Sequence, residues 1–301
     1  MKRKLVQQGA STLMVSLPAK WIHQHHLSKG SEVNIESLEN NLLIAADSVE
    51  LKREKTIRLQ NNVESSVRTL ITTVYRSGYD KIIVYFDDEQ QFLQLTNIIK
   101  TRLIGFEIIK KEKKSCIVEN ITEPSADQFE AIFKKMLYNI TDLFETTKRR
   151  IKENIPFTEI EQIQERIQRY DNFCRRIIIK KKVLPHHTEM FWNFLTLLIH
   201  GQREIYHLNN LYSERISISD KTIELLNGCS TLFNLIKQSY LDKNIALLGN
   251  IHTAEKELIY KKGYVLLQQK SGKENIIVYH LLSSIRQFYQ ANSPLTGLLV
   301  D

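Results

Sequence analysis

The spacing of apolar and polar positions changes twice along this chain, and each change marks a different kind of structure. Up to about residue 50 the apolar runs are short. Arg3 to Val6 and Thr12 to Leu17 read as strands separated by a turn at Gly9. Pro18 to His25 reads as a short helix, since the first turn of a helix needs no donor from proline. Leu27-Ser28-Lys29-Gly30 forms a turn, and Val33 and Ile35 then alternate with Asn34 and Glu36. A last strand, Leu42 to Ala46, follows the Asn40-Asn41 turn. This β-β-α-β-β pattern is too small to bury a core alone, which predicts an intertwined dimer.

Residues 51–122 read β-α-β-α-β-β. Thr56 to Leu59 is a strand, and Val63 to Arg76 an amphipathic helix ended by Gly78. Lys81 to Phe86 is rich in β-branched and aromatic residues, as buried strands are. Asp87 or Asp88 caps a helix from Gln90 to Leu103. Phe106 to Lys110 and Ser115 to Val118 form a hairpin across Lys111 to Lys114. No glycine-rich phosphate loop joins a strand to a helix here, so the unit reads as a scaffold or spacer.

From Glu123-Pro124-Ser125 onward the period is helical. Phe129, Ile132, Phe133, Met136, Leu137, Ile140, Leu143 and Phe144 trace one apolar stripe. After Pro156, with Thr158 as a cap, Ile160, Ile163, Ile167, Tyr170, Cys174 and Ile177 make a seam suited to a long antiparallel bundle. Pro185 ends it, and a third helix carries Phe191 through Leu211. A second trio follows, Ser219 to Tyr240, Asn244 to Gln269 and Lys273 to Ala291, with Asp220 and Ser271 as start signals. Two trios of similar length suggest an internal duplication. The expected fold is therefore a multidomain α+β chain: residues 1–50, residues 51–122, and an all-α part at 123–301 with repeats at about 123–213 and 214–301.

Composition narrows the function. The net charge is +8, which by itself says little. Its placement says more: residues 1–31 hold Lys2, Arg3, Lys4, Lys20 and Lys29 and no Asp or Glu. A folded, acid-free basic segment is the electrostatic footprint of phosphate contacts. Cys116, Cys174 and Cys229 are far apart and lack metal-site spacing, as in a reducing compartment. The opening Met-Lys-Arg-Lys lacks a following apolar stretch, and no segment is long enough to span a bilayer. A soluble, cytoplasmic protein without membrane insertion is expected.

The run from Arg3 to Trp21, Arg-Lys-Leu-Val-Gln-Gln-Gly-Ala-Ser-Thr-Leu-Met-Val-Ser-Leu-Pro-Ala-Lys-Trp, followed by Leu27-Ser28-Lys29-Gly30-Ser31-Glu32-Val33, resembles the AbrB/MazE/SpoVT swapped-hairpin DNA-binding domain. In particular it looks like the variant in archaeal phosphate uptake regulators that carry a PhoU-like helical domain. The resemblance implies an AbrB/SpoVT-like head at 1–50, an α/β linker domain at 51–122 and a PhoU-like body of two three-helix bundles at 123–301. It also implies interleaved hairpins in a homodimer or higher oligomer, with basic residues on the exposed strands and turn contacting double-stranded DNA. On this sequence the candidates are Lys2, Arg3, Lys4, Gln8, Ser11 and Lys20. Cations neutralise phosphates, while Gln and Ser hydrogen-bond to backbone or base edges. One departure matters: Ala10 stands where many members have Arg after the turn glycine, so base reading by that Arg is absent.

PhoU-type metal clusters use acid-x-x-x-Asp motifs. Here Glu161 and Glu165 share a face, Asp171 lies on another, and the third helices lack the Asp, so neither metal nor cofactor is expected. Glu204-x-x-His207 has di-iron spacing but stands alone. His23, His25 and His26 read as surface residues, Trp21 and Trp192 as core. Arg175, Arg176 and Lys180 to Lys182 read as a charged helix end, with a second phosphate patch as the alternative. No catalytic constellation emerges. The expected function is a transcriptional regulator of phosphate uptake or related metabolism. The alternatives are a protein-interaction regulator of a phosphate transporter component, whose head only dimerises, and an antitoxin.

Overall fold

The computed structural model describes residues 2–38, 41–46, 52–122, 124–153, 155–181, 187–212 and 217–300. Its contacts divide the chain into two compact units, up to Lys52 and from Arg53 onward.

In the first unit, β1 (Val6–Gln8) pairs antiparallel with β2 (Thr12–Met14) across Gly9-Ala10-Ser11. The helix α1 (Ala19–Gln24) follows, then β3 (Val33–Leu38) and β4 (Asn41–Ala46), antiparallel in a separate sheet. The paired strands are shorter than expected: pairing begins at Val6, three residues after Arg3, and ends at Met14, three before Leu17, although the register that sets Gln8 opposite Thr12 would place Arg3 opposite Leu17. Pro18 is the extended N-cap of α1 rather than its first helical residue. Asn41 already belongs to β4, and Asn40, the other half of the expected turn, lies outside the described residues. Trp21 is not core: it is half-buried on a helix with no buried residue, its ring beside His25.

The second unit opens with β5 (Glu54–Arg58), α2 (Glu64–Arg76), β6 (Lys81–Tyr85), α3 (Glu89–Arg102), β7 (Phe106–Lys111) and β8 (Ser115–Asn120). The sheet order is β5-β6-β8-β7, with β5 and β6 parallel and the remaining pairs antiparallel. Alternation explains its sidedness: Ile82 and Val84 are buried while Tyr85 is exposed. The buried face packs on Val67, Ile71, Tyr75, Leu95 and Ile98 from α2 and α3. Asp88 caps α3 by accepting a hydrogen bond from the Gln91 N–H.

The helical part comprises α4 (Phe129–Lys152), α5 (Phe157–Lys181), α6 (Thr188–Leu211), α7 (Asp220–Leu241), α8 (Leu248–Lys256), α9 (Tyr264–Gln269), α10 (Gly272–Gln290) and α11 (Asn292–Val300). The stripe from Phe129 to Phe144 is buried throughout, as are Ile160, Ile163, Ile167, Cys174 and Ile177 of the seam. Three expectations need correcting. Thr158 does not cap α5, which starts at Phe157 directly after Pro156. The segment expected as one helix from Asn244 to Gln269 instead runs 3₁₀, α, π, α, with the π turn at Glu257–Gly263. There Gly263 lies so close to Leu282 of α10 that any Cβ would overlap it. Finally, the chain does not stop being helical at Ala291: α11 follows, with Pro294 in its first turn, where proline is tolerated. Residues 182–186, which include the helix end expected at Pro185, lie outside the described residues.

The α/β sheet and the helices form one unit because α2 and α3 pack against α5, and ion pairs cross the contact. Arg176 is fully buried; it donates to Asp80 at 2.6 Å and to the carbonyls of Tyr75 and Tyr79. Lys180 meets the same Asp80 oxygen at 2.6 Å. Nearby, the carboxylate of Asp171 binds both Arg76 and Arg175, and Asn172 bridges Arg76 and the Arg102 carbonyl. Arg175, Arg176 and Lys180 are therefore not a solvated helix end or a phosphate patch. Burying a cation requires a paired and hydrogen-bonded partner; Asp80 of the α/β layer supplies it to Arg176 and Lys180, and Asp171 of α5 itself supplies it to Arg175. Arg175 also stacks over Trp192, which is half-buried rather than core.

Candidate nucleic-acid interface

The head is built around two glycine turns. Gly9 takes φ +74° at the start of the β1–β2 loop, and Gly30 takes φ +92° in the turn closed by the Ser31 N–H donating to Ser28. Glycine occupies both for conformational reasons. The α1 helix ends in a Schellman arrangement: the Leu27 N–H reaches the Ile22 carbonyl and the His26 N–H that of His23. His26 takes the left-handed position (φ 52°) usually held by glycine. That is a local structural reason for one of the three histidines.

Every sequence-derived contact residue is exposed. Gln8 and Ser11 are brought together at the two ends of the hairpin loop, Gln8 closing β1 and Ser11 preceding β2. Lys2, Arg3 and Lys4 lie in the lead-in to β1, and Lys20 lies on α1, a separate element. The chain alone thus groups Gln8 with Ser11 and leaves the cations on neighbouring segments. None of Lys2, Arg3, Lys4 or Lys20 forms an ion pair among the described residues, so their charge faces outward. Ala10, in the same loop, accepts at its carbonyl from the Gln7 side-chain amide.

The hairpin is apolar as well as basic. Leu5, Val6, Leu13, Met14 and Val15 are all exposed, Leu5, Val6 and Leu13 by more than half (64%, 58% and 61%). Neighbouring strand residues point to opposite faces, so both faces of this two-stranded ribbon present apolar side chains to solvent. A ribbon of three-residue strands has too little pairing to stand alone.

The sequence model of a family described as "Antidote-toxin recognition MazE, bacterial antitoxin" matches residues 6–59. The N-terminal segment is thus similar to a MazE-type domain. The match takes in the hairpin, α1, β3, β4 and β5, and stops before α2. Neither the curated proteins nor the solved structures yield a match.

Elsewhere, other residues singled out in the sequence have ordinary partners. Glu204 accepts from His280 at 2.7 Å, across from α6 to α10. Glu165 faces Arg102 at 3.9 Å and Asp171 is buried in ion pairs. Among the described residues no three His, Cys, Asp or Glu side chains converge as metal ligands would, and no helix is long and apolar enough to cross a membrane. Cys174 and Cys229 are buried, and desolvation raises both thiol pKa values, that of Cys229 to about 12. Neither is a nucleophile at neutral pH.

Proposed function

We propose that the chain is a DNA-binding transcriptional regulator that reads double-stranded DNA as a dimer through its N-terminal hairpins. The observation that carries this reading is the hairpin itself: an acid-free basic ribbon with apolar side chains exposed on both faces. A second copy interleaving its hairpin would cover the apolar faces and place two sets of Lys2, Arg3, Lys4 and Lys20 on one surface. Gln8 and Ser11 then offer uncharged hydrogen bonds to the backbone or base edges. The similarity of residues 6–59 to a MazE-type domain supports the same assignment. On this reading the protein is not an enzyme and acts in the cytoplasm. The finer reading, that the regulated genes serve phosphate uptake or related metabolism, rests on the resemblance of the N-terminal run and the helical body to archaeal phosphate uptake regulators.

A second reading, an antitoxin, is favoured by the description of the matching family. Against it stands the large packed unit after residue 52, where an antitoxin would carry a short segment that folds on its toxin. The deciding experiment is retention on genomic DNA fragments at low salt by the full chain and by the Arg3→Ala/Lys4→Ala/Lys20→Ala variant. Retention lost in the variant supports the reading. Equal retention, or none by either protein, removes it.

A further inference from the structure

A cavity of about 540 Å³ lies in the second unit, where α2 and the end of α3 meet α5 and α6. Its volume is that of small-molecule sites. Its wall is unusual for what it leaves unpaired. Arg68 and Arg76 enter from α2, Arg102 from α3 and Arg203 from α6, and the one acid in the wall is Asp171. That carboxylate is already shared between Arg76 and Arg175. Arg68 is paired with Glu64 at 2.9 Å, and Arg102 approaches Glu165 only to 3.9 Å. Arg203 has neither a hydrogen bond nor an ion pair among the described residues.

One orphaned donor points the same way, and one orphaned acceptor calls for a hydroxyl or N–H donor. The Arg102 side chain is 13% exposed, and its Nη1 is buried without a partner. Gln164, 5% exposed, leaves Oε1 buried without a partner on the facing helix. Buried polar groups are nearly always satisfied, by protein or by ordered water, and both of these residues line the cavity. Desolvation lowers the pKa of both Arg76 and Arg102 by more than Asp171 raises the first or Glu165 the second, and repulsion from Arg175 and Arg203 on the first and from Arg68 on the second adds to it. An anion in the cavity would relieve that repulsion.

We propose that this cavity binds a phosphorylated metabolite of about nucleotide size. Guanidinium groups bind phosphate oxygens through paired N–H donors, and Arg102 and Arg203 have donors to give. A cavity of this volume is far larger than inorganic phosphate needs. The remaining wall, with Gln164 and Tyr206, suits a polar body carrying hydroxyls or a ring. The site lies wholly within the second unit, so the inference does not depend on the head reading DNA. It would give the regulator an effector site between its α/β and helical layers.

The test is calorimetric titration of the full chain with AMP, ATP and glucose 6-phosphate, with adenosine, glucose and inorganic phosphate as controls. The same titrations are run on Arg203→Ala and Arg203→Glu. Arg203 is exposed and unpartnered, so neither variant should change the melting curve of the free protein. Saturable binding of a phosphorylated probe is expected, at least tenfold tighter than its unphosphorylated counterpart and than inorganic phosphate. Arg203→Glu is expected to weaken it at least tenfold and Arg203→Ala by less. Three results would each overturn the proposal: no saturable binding of any phosphorylated probe, equal binding of the uncharged counterpart, or binding unchanged in Arg203→Glu.

Discussion

Arg176, nearly one hundred residues after Asp80, meets its carboxylate at 2.6 Å in a position closed to solvent. Burial alone would raise the pKa of Asp80. Hydrogen bonds from Lys180 and the Arg53 N–H, with the charges of Lys180 and Arg176, bring it below the usual carboxylate range. Breaking such a pair leaves an uncompensated buried charge, at about 3–5 kcal/mol. Asp80→Asn is therefore expected to cost more stability than Arg176→Met, because it strands two cations rather than leaving Asp80 with Lys180. Equilibrium urea denaturation of both variants checks the order. Equal losses near zero would mean that the ionic joint does not hold the α/β layer to α5.

Glu274 makes a second long-range tie. Although it lies in the first turn of α10, its carboxylate accepts from the Ser219 N–H and from the hydroxyls of Ser219 and Thr222 at the start of α7. Desolvation opposes ionisation there, but these hydrogen bonds and Lys270 pull the pKa from 4.5 to about 2. A lowered carboxylate pKa gives stability that is complete above about pH 4.5 and lost as pH falls toward 2. Glu274→Gln is expected to cost about 1–2 kcal/mol at pH 7, in the range of a charged cap with several donors. The gap between the proteins should narrow between pH 4.5 and 2 in denaturation curves. A gap independent of pH would contradict the assignment.

Gly201 marks where α6 crosses α10. A Cβ there would fall 2.6 Å from the Phe288 ring, and the Gly201 carbonyl accepts from Ser284 at 2.9 Å. Gly201→Ala forces the ring or the crossing to shift, and a loss of about 1–3 kcal/mol is expected from overpacking. Thermal denaturation reads it. An unchanged or raised Tm would show that the crossing yields freely.

The exposed apolar ribbon predicts the assembly. Leu13→Asp places a charge where a second hairpin would sit, and it is expected to shift the protein from dimer or higher oligomer toward monomer in light scattering. A mass identical to that of the unaltered protein, whether monomeric or oligomeric, would show that Leu13 is not at an interface.

How far these features can be read in advance depends on the range of the interaction. The stripe from Phe129 to Phe144 and the strand Lys81–Tyr85 repeat at the period of their own element, so local sequence specifies them. The Asp88 cap is equally local. Arg76 with Asp171, or Arg176 with Asp80, obeys no period, since each partner lies on a different layer. A lysine- and arginine-rich helix end therefore reads as solvated when it is buried. The wall of the cavity was hidden for the same reason: Arg68, Arg102 and Arg203 come from three helices. The π turn at Glu257–Gly263 keeps an ordinary helical composition, and α11 was hidden behind Pro294, which reads as a stop although it sits in a first turn. Among the DNA-contact candidates, the turn and its flanking Gln8 and Ser11 follow from the Gly9 pattern. How Lys2 to Lys4 and Lys20 combine depends on a second chain.

Whether the basic ribbon reads DNA is measured most directly by the affinity of the full chain for duplex DNA across a salt series. Two hairpins offering Lys2, Arg3, Lys4 and Lys20 each would release several counterions. Affinity is then expected to fall by roughly a thousandfold or more between about 50 and 200 mM salt. The Arg3→Ala/Lys4→Ala/Lys20→Ala variant should bind more weakly and with a shallower slope. Binding that ignores salt, or a slope identical in the variant, would contradict the account.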